Sequence, residues 1–312
     1  MSGCGSELSQ ENEKLQVAAS IYPWAFFAEQ IGGDLVEVKT LVPIGMEPHD
    51  YDPSPNDLKA LYDADIFIYN GAALEPWVED LAFELRQEEV QLFAAADTVE
   101  LLPLAEGAEH EEEEDEEEHS FIPKASAHET GEEHTEYDPH IWLDPVRVSM
   151  VVQSMANTFA NLDSTNADVY RANAKVLMNE LDEINAAFAA DLQACTEKEF
   201  VTSHAAFAYL AGRYGLTMTP ISGISPEDEP TIKELEDISK IVEEHGLSVI
   251  YTETLINSAF AETIAAETGA QLLVLNPLEG LTSVEAAAGE NYFTIFKKNL
   301  ENLKSGFACE AL

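Results

Sequence analysis

Basic residues are scarce in this chain. Fifteen Lys and Arg stand against sixty Asp and Glu, for a formal net charge of −45. A surface so poor in cations repels nucleic acid and anionic lipid and favours cationic ligands, so nucleic acid is not an expected partner. The chain also lacks any apolar run approaching the roughly 20 residues that cross a bilayer as a helix. Cysteine is nearly absent, at positions 4, 195 and 309 only. No local zinc-finger spacing and no HExxH motif occurs.

What is present is enough for a folded body. The 312 residues, 46% of them hydrophobic, suit one large or two medium domains. Residues 105–138 hold fifteen acidic groups and one Lys, so they contribute −14 of the net charge and leave −31 for the rest. The dispersed part reads as a surface adapted to a saline or alkaline habitat. The concentrated part is a low-complexity segment carrying His110, His119, His128 and His134 with few apolar residues, and mobility is expected there.

Short strand patterns alternate with helical patterns on both sides of that segment. Strands are expected at 15–21, 35–42, 66–69 and 90–93, with helices at 23–31, 56–64 and 75–85. After the acidic segment, 146–162 reads as a helix. Residues 166–192 run without Gly or Pro, with Val169, Ala172, Val176, Leu177, Leu181, Ile184, Phe188 and Leu192 at helical spacing. Such a helix is about 40 Å long, enough to brace two lobes. Strand–helix alternation then resumes, with strands at 199–202, 216–221, 247–252 and 271–275 and helices at 205–214, 231–244, 258–268 and 292–303. The fold class is therefore α/β: two lobes, each a mostly parallel sheet flanked by helices, joined by one long rigid helix. The expected division is a tether at 1–14, a first lobe at 15–145, a helical linker at 146–195 and a second lobe at 196–312.

Three His outside the acidic segment sit in turn-rich contexts: His49 in Glu47-Pro48-His49-Asp50-Tyr51, His140 in Asp138-Pro139-His140-Ile141-Trp142, and His204 in Thr202-Ser203-His204-Ala205. Glu279 follows in Asn276-Pro277-Leu278-Glu279-Gly280. At least three of the four come just after an expected strand, where open α/β sheets bind ligands. Two come from each half, so a shared site would lie in the cleft between lobes. Taken singly, each His also fits a hydrogen-bonded surface His, and Glu279 an ordinary loop carboxylate; on residues alone both readings stay open.

The chain resembles the cluster A-I substrate-binding proteins of bacterial metal ABC importers, most closely the zinc-binding ZnuA/AdcA-type lipoproteins. The resemblance covers nearly the whole chain. It is carried by Ser20-Ile21-Tyr22-Pro23, Glu47-Pro48-His49-Asp50-Tyr51, Asp138-Pro139-His140-Ile141-Trp142-Leu143-Asp144-Pro145, Ser203-His204-Ala205-Ala206-Phe207, Ile224-Ser225-Pro226-Glu227 and Asn276-Pro277-Leu278-Glu279-Gly280-Leu281. It implies that His49, His140 and His204 bind Zn2+ as a transported ligand. It also implies a membrane permease of an ABC importer as partner, and no catalysis. Many relatives carry Asp in the last of these loops where this chain has Asn276; relatives sharing the Asn-Pro-Leu-Glu-Gly form use the following Glu. The fourth ligand is therefore carried to Glu279, with water as the alternative. Three imidazoles and a carboxylate suit tetrahedral zinc, whereas manganese prefers more oxygen. Manganese-binding relatives have a carboxylate where His204 stands. The resemblance also implies an accessory metal-collecting role for His110, His119, His128 and His134.

The small residues before Cys4 and the polar stretch after it read as the end of a lipoprotein signal, with lipid on Cys4 anchoring an extracytoplasmic protein. A monomer is expected. In that compartment Cys195 and Cys309 are expected to pair, tying the final helix to the second lobe; two buried thiols are the alternative. Competing functions are a zinc-dependent hydrolase, using three His and an open position, and a manganese-binding or adhesin-type relative.

Overall fold

The computed structural model describes residues 14–104 and 137–309. Cys4 and the loop histidines His110, His119, His128 and His134 lie outside the described residues.

The first half runs β1 (Leu15–Ala19), α1 (Tyr22–Gly32), β2 (Val36–Thr40), α2 (Pro55–Tyr62), β3 (Ile66–Tyr69), α3 (Trp77–Gln87) and β4 (Gln91–Ala94). Two helices follow, α4 (Pro145–Leu162) and α5 (Ala167–Gln193). The second half runs β5 (Glu199–Thr202), α6 (Ala208–Tyr214), β6 (Thr217–Pro220), α7 (Ile232–Glu244), β7 (Val249–Thr252), α8 (Ala259–Thr268), β8 (Gln271–Val274), α9 (Ser283–Ala287) and α10 (Tyr292–Gly306). No helix among the described residues is long and apolar enough to cross a membrane.

Each half forms one four-stranded parallel sheet. The orders are β2-β1-β3-β4 and β6-β5-β7-β8, the same topology twice. In each sheet the chain reverses its direction of winding between the two central strands, and the crevice beyond their carboxyl ends is where such sheets bind ligands. The central strands β3 and β7 are almost wholly buried, which explains their unbroken apolar runs, Ile-Phe-Ile-Tyr and Val-Ile-Tyr-Thr.

Local signals set the helix starts. Ser54 and Asp57 close a capping box on α2, with Pro55 in its first turn; Thr231 with Glu234 and Asn291 with Thr294 do the same for α7 and α10. Helix α6 begins three residues later than its apolar pattern suggests. The Ala205 N–H is taken by the Gly223 carbonyl at 2.9 Å, so the residues after His204 stay with a neighbouring loop.

At 27 residues α5 is about 40 Å long. Its buried stripe is Tyr170, Ala174, Leu177, Leu181, Ile184, Phe188 and Leu192. Val169 and Val176 fall off that stripe and are 45% and 56% exposed. The helix touches both halves. Asn173 donates to the Ile31 carbonyl of α1 at 2.9 Å, and Phe188 packs edge-on against Phe296 of α10 at 5.0 Å between ring centres. The halves also meet directly, through Phe26 and Phe27 of α1 against Tyr292 and Phe293 of α10. Cys195, just past α5, is disulfide-bonded to Cys309, just past α10.

Candidate metal centre

The four residues singled out from sequence converge. His49, His140, His204 and Glu279 each bring one donor atom into a group whose members all lie within 4.8 Å of one another. His140, His204 and Glu279 are buried, and His49 keeps 11% of its side chain exposed, so the site opens past His49. Glu279 Oε1 lies 3.4 Å from His140 Nε2, 3.4 Å from His204 Nε2 and 3.7 Å from His49 Nε2. The Nε2 atoms of His140 and His204 are 3.4 Å apart. A tetrahedral ion with bonds of about 2.1 Å has donor–donor edges of about 3.4 Å. An octahedral ion at the same bond length has cis edges of about 3.0 Å. The three edges among His140, His204 and Glu279, all 3.4 Å, match the tetrahedron, and the His49–Glu279 edge at 3.7 Å is longer.

Two of the imidazoles are held through Nδ1, which turns Nε2 into the site. Asp138 Oδ1 takes both the backbone N–H of His140 and its ring Nδ1, each at 2.8 Å. Glu253 Oε1 does the same for His204, at 3.1 and 2.8 Å. A carboxylate on Nδ1 fixes the proton there and leaves the Nε2 lone pair for a cation. Glu47 orders the His49 loop by accepting the backbone N–H groups of His49 and Asp50, at 2.9 and 3.3 Å.

Glu279 is placed by a loop that spends its polar groups internally. Asn276 accepts the Leu278 N–H at 2.7 Å and exchanges two hydrogen bonds with Asn299 of α10. Its amide donates to Thr254 and Glu285. Asn276 is thus fully used in shaping the turn. Leu278 takes a positive φ of 62°, an uncommon backbone conformation that delivers the next residue inward. The Trp142 indole N–H donates to the Pro277 carbonyl at 2.7 Å, fastening this loop to the His140 segment. Both Glu279 carboxylate oxygens and His49 Nε2 are buried without a hydrogen-bond partner among the described residues. A buried carboxylate lacking donors is costly unless a cation completes it.

The electrostatics follow from that geometry. Burial pushes the His204 imidazole down, but Glu253 and Glu279 outweigh it and hold its pKa well above the ordinary value. At His140 burial is again outweighed, by Asp138 and Glu279, and the pKa is raised. At His49 burial wins and the pKa is lowered. Burial raises the Glu279 carboxyl, yet the three imidazoles together hold it well below the usual range. Glu47 is pushed up to about 8, by burial first and by the Glu279 charge second.

Sequence reasoning named the four inner residues and missed their supports. Asp138 had a signal, being two residues from His140. Glu253 had none beyond being a carboxylate at a strand end. The remaining His of the described residues, His245, pairs with Glu199 at the surface, away from this centre.

A family model described as "Zinc-uptake complex component A periplasmic" matches residues 17–306. Zinc-binding protein AdcA of Streptococcus pyogenes is 37% identical over 292 residues, which are 93% of this chain and 56% of that protein. The chain thus spans about half the length of the streptococcal relatives. High-affinity zinc uptake system protein ZnuA of Bacillus subtilis is 35% identical over 309 residues, covering 97% of this chain and 92% of that one. The crystal structure of the Zn(II)-bound ZnuA-like domain of Streptococcus pneumoniae AdcA superposes with a TM-score of 0.77 at 33% identity, covering 94% of this chain and 99% of that domain.

Proposed function

The chain belongs to the family of periplasmic zinc-uptake components, and we propose that it captures Zn2+ outside the cytoplasm and hands it to the membrane permease of an ABC importer. His49, His140, His204 and Glu279 are the four ligands. The observation that carries this reading is the Glu279 carboxylate: buried, without a hydrogen-bond donor among the described residues, and set at tetrahedral edge distances from the His140 and His204 nitrogens.

The ion is cargo, so the site must bind tightly yet admit and release it. Neutral imidazole Nε2 atoms and one anionic oxygen supply a borderline-soft, four-coordinate environment that suits zinc. Asp138 and Glu253 add negative charge one shell out, which offsets the double charge of the ion in a buried place. The exposed edge of His49 marks the entrance. The family is a transport component and not an enzyme. A hydrolytic zinc needs an open coordination position, and Glu279 fills it.

Lipid on Cys4 would keep a monomeric protein beside its permease. His110, His119, His128 and His134, among dense carboxylates, would hold zinc weakly and raise its concentration near the cleft.

Metal analysis of protein purified without chelator, followed by chelator competition, tests the reading. The expected result is one tightly held zinc per chain, with manganese competing poorly. A chain with no tight zinc site, or one that prefers manganese, refutes it.

A further inference from the structure

Two residues that touch neither imidazole tie the segment that carries His140 to the helix that follows His204. Helix α6 starts four residues after His204, and Tyr209 and Arg213, four apart, lie on one face of it. Tyr209 is fully buried, and its hydroxyl donates to the Asp138 carbonyl at 2.8 Å while accepting the Leu102 N–H at 3.0 Å. Arg213 makes a two-point contact with Asp144, Nε to Oδ1 at 2.8 Å and Nη2 to Oδ2 at 2.6 Å. Asp144 is itself buried. It caps α4 through the Val146 N–H and takes a further bond from Arg147. Arg147 also donates to the Glu100 carbonyl and lies 4.7 Å from the centre of the Tyr209 ring.

The segment from Asp138 to Asp144 carries His140 near its start. One face of α6 grips it at both ends, by the carbonyl of Asp138 and by the carboxylate of Asp144. The same helix follows His204 after a three-residue turn, Ala205 to Phe207, whose first N–H is held by the Gly223 carbonyl. The segments that carry His140 and His204 are thereby tied to each other through α6. A forked guanidinium–carboxylate pair fixes orientation as well as distance, which a single point charge does not.

We infer that Tyr209 and Arg213 are positioning residues that fix the His140–His204 edge of the metal centre at tetrahedral length and so favour zinc over cations that prefer six ligands. This rests on the zinc reading above and adds to it a source for the selectivity. The 3.4 Å between the two Nε2 atoms is the consequence. Loosening the grip lets this edge vary, admitting solvent as a fifth or sixth ligand.

The test uses the full chain with Co2+ as spectroscopic probe, alongside zinc and manganese competition and melting of the metal-free protein. Tetrahedral Co2+ absorbs strongly in the visible, and higher-coordinate Co2+ weakly. Tyr209→Phe removes one oxygen; Arg213→Ala removes the fork; Arg213→Lys keeps charge without the fork. Tyr209→Phe and Arg213→Ala are expected to weaken zinc about tenfold or more, as loss of an outer support does. They should also narrow the zinc-to-manganese ratio and dim the cobalt bands, with Arg213→Lys falling between. If Arg213→Ala does not fold, Tyr209→Phe carries the same readings. Variants that melt lower but keep the wild-type affinity, ratio and cobalt spectrum overturn the inference and leave the zinc site standing. A wild type without the strong cobalt bands overturns the tetrahedral reading beneath it.

Discussion

Replacing Glu279 by Gln keeps the shape of the side chain and removes its charge, so it isolates what the carboxylate does. In the structure this group is 1% exposed, faces three imidazoles and has no hydrogen-bond donor on either oxygen among the described residues. With zinc bound, the carboxylate would be the sole anion touching a divalent ion in a dry site. Removing one member of a buried charge pair costs about 3–5 kcal/mol. At about 1.4 kcal/mol per tenfold, that is a loss of roughly two to three and a half decades in zinc affinity. The assay is chelator competition, with a thermal shift as an independent check. At free zinc about 1,000 times the wild-type Kd, the ion stabilises wild type by about 4 kcal/mol. A variant weakened 1,000-fold gains only about 0.4 kcal/mol under the same conditions. Glu279→Gln binding zinc within threefold of wild type would refute the reasoning. Three His with water would then make the site, and the buried carboxylate would need another explanation.

Binding should depend on pH with a definite sign. The pKa values of His140 and His204 are raised by Asp138, Glu253 and Glu279 despite burial, so zinc must displace protons there. Affinity should begin to fall already above the free-imidazole value of about 6.5 as pH is lowered. Proton release at pH 7, read by calorimetry in buffers of different ionisation enthalpy, checks this; a buffer-independent enthalpy contradicts it. His204→Glu should narrow the zinc-to-manganese affinity ratio without inverting it, because added hard oxygen helps manganese while zinc stays favoured; competition titrations showing an unmoved ratio count against a ligand role. Deleting residues 109–134 should leave the tight site intact and remove weak zinc equivalents; an unchanged calorimetric stoichiometry sinks the collecting role. Replacing Cys195 and Cys309 by Ser opens a link across 114 residues. Chain entropy sets its loss at up to about 5 kcal/mol. Melting should fall while zinc affinity holds within twofold, and a parallel loss of affinity would contradict that separation.

Much of the fold was written in local patterns. The eight strands among the described residues are short, mostly apolar runs between turn residues, and α5 is a long stretch free of Gly and Pro, so both survive reading one residue at a time. Where local signal is thin, the reading failed. Helix α9 is five residues long, too short for a periodic stripe. The first turn expected for α6 is absent because a hydrogen bond to a distant loop outcompetes helical propensity. Val169 and Val176 looked like core in the pattern of α5. Tyr170 is buried instead, its ring against Phe159 and its hydroxyl on Asp163.

The four converging residues were legible because their neighbours in sequence are distinctive, and their outer supports were not because register places them. Strand β5 pairs with β7 so that Thr202 stands opposite Tyr251. Two residues on, the partners are His204 and Glu253, which is the hydrogen-bonded pair. No spacing in the sequence announces it, since the two lie 49 positions apart. The first sheet repeats the device. Strand β1 pairs with β3 so that Ala19 stands opposite Ile68. Two residues past Ile68 is Asn70, whose amide donates to the Pro139 carbonyl at 2.9 Å and so holds the residue before His140. In both halves the residue two beyond the register pair, just past the end of the second central strand, steadies one histidine segment. An amide does so from the backbone in one half, and a carboxylate from the ring in the other. The doubled strand order, invisible as sequence repeat, is thus visible as function: each sheet steadies one imidazole segment at its switch point, and α6 locks the two to each other.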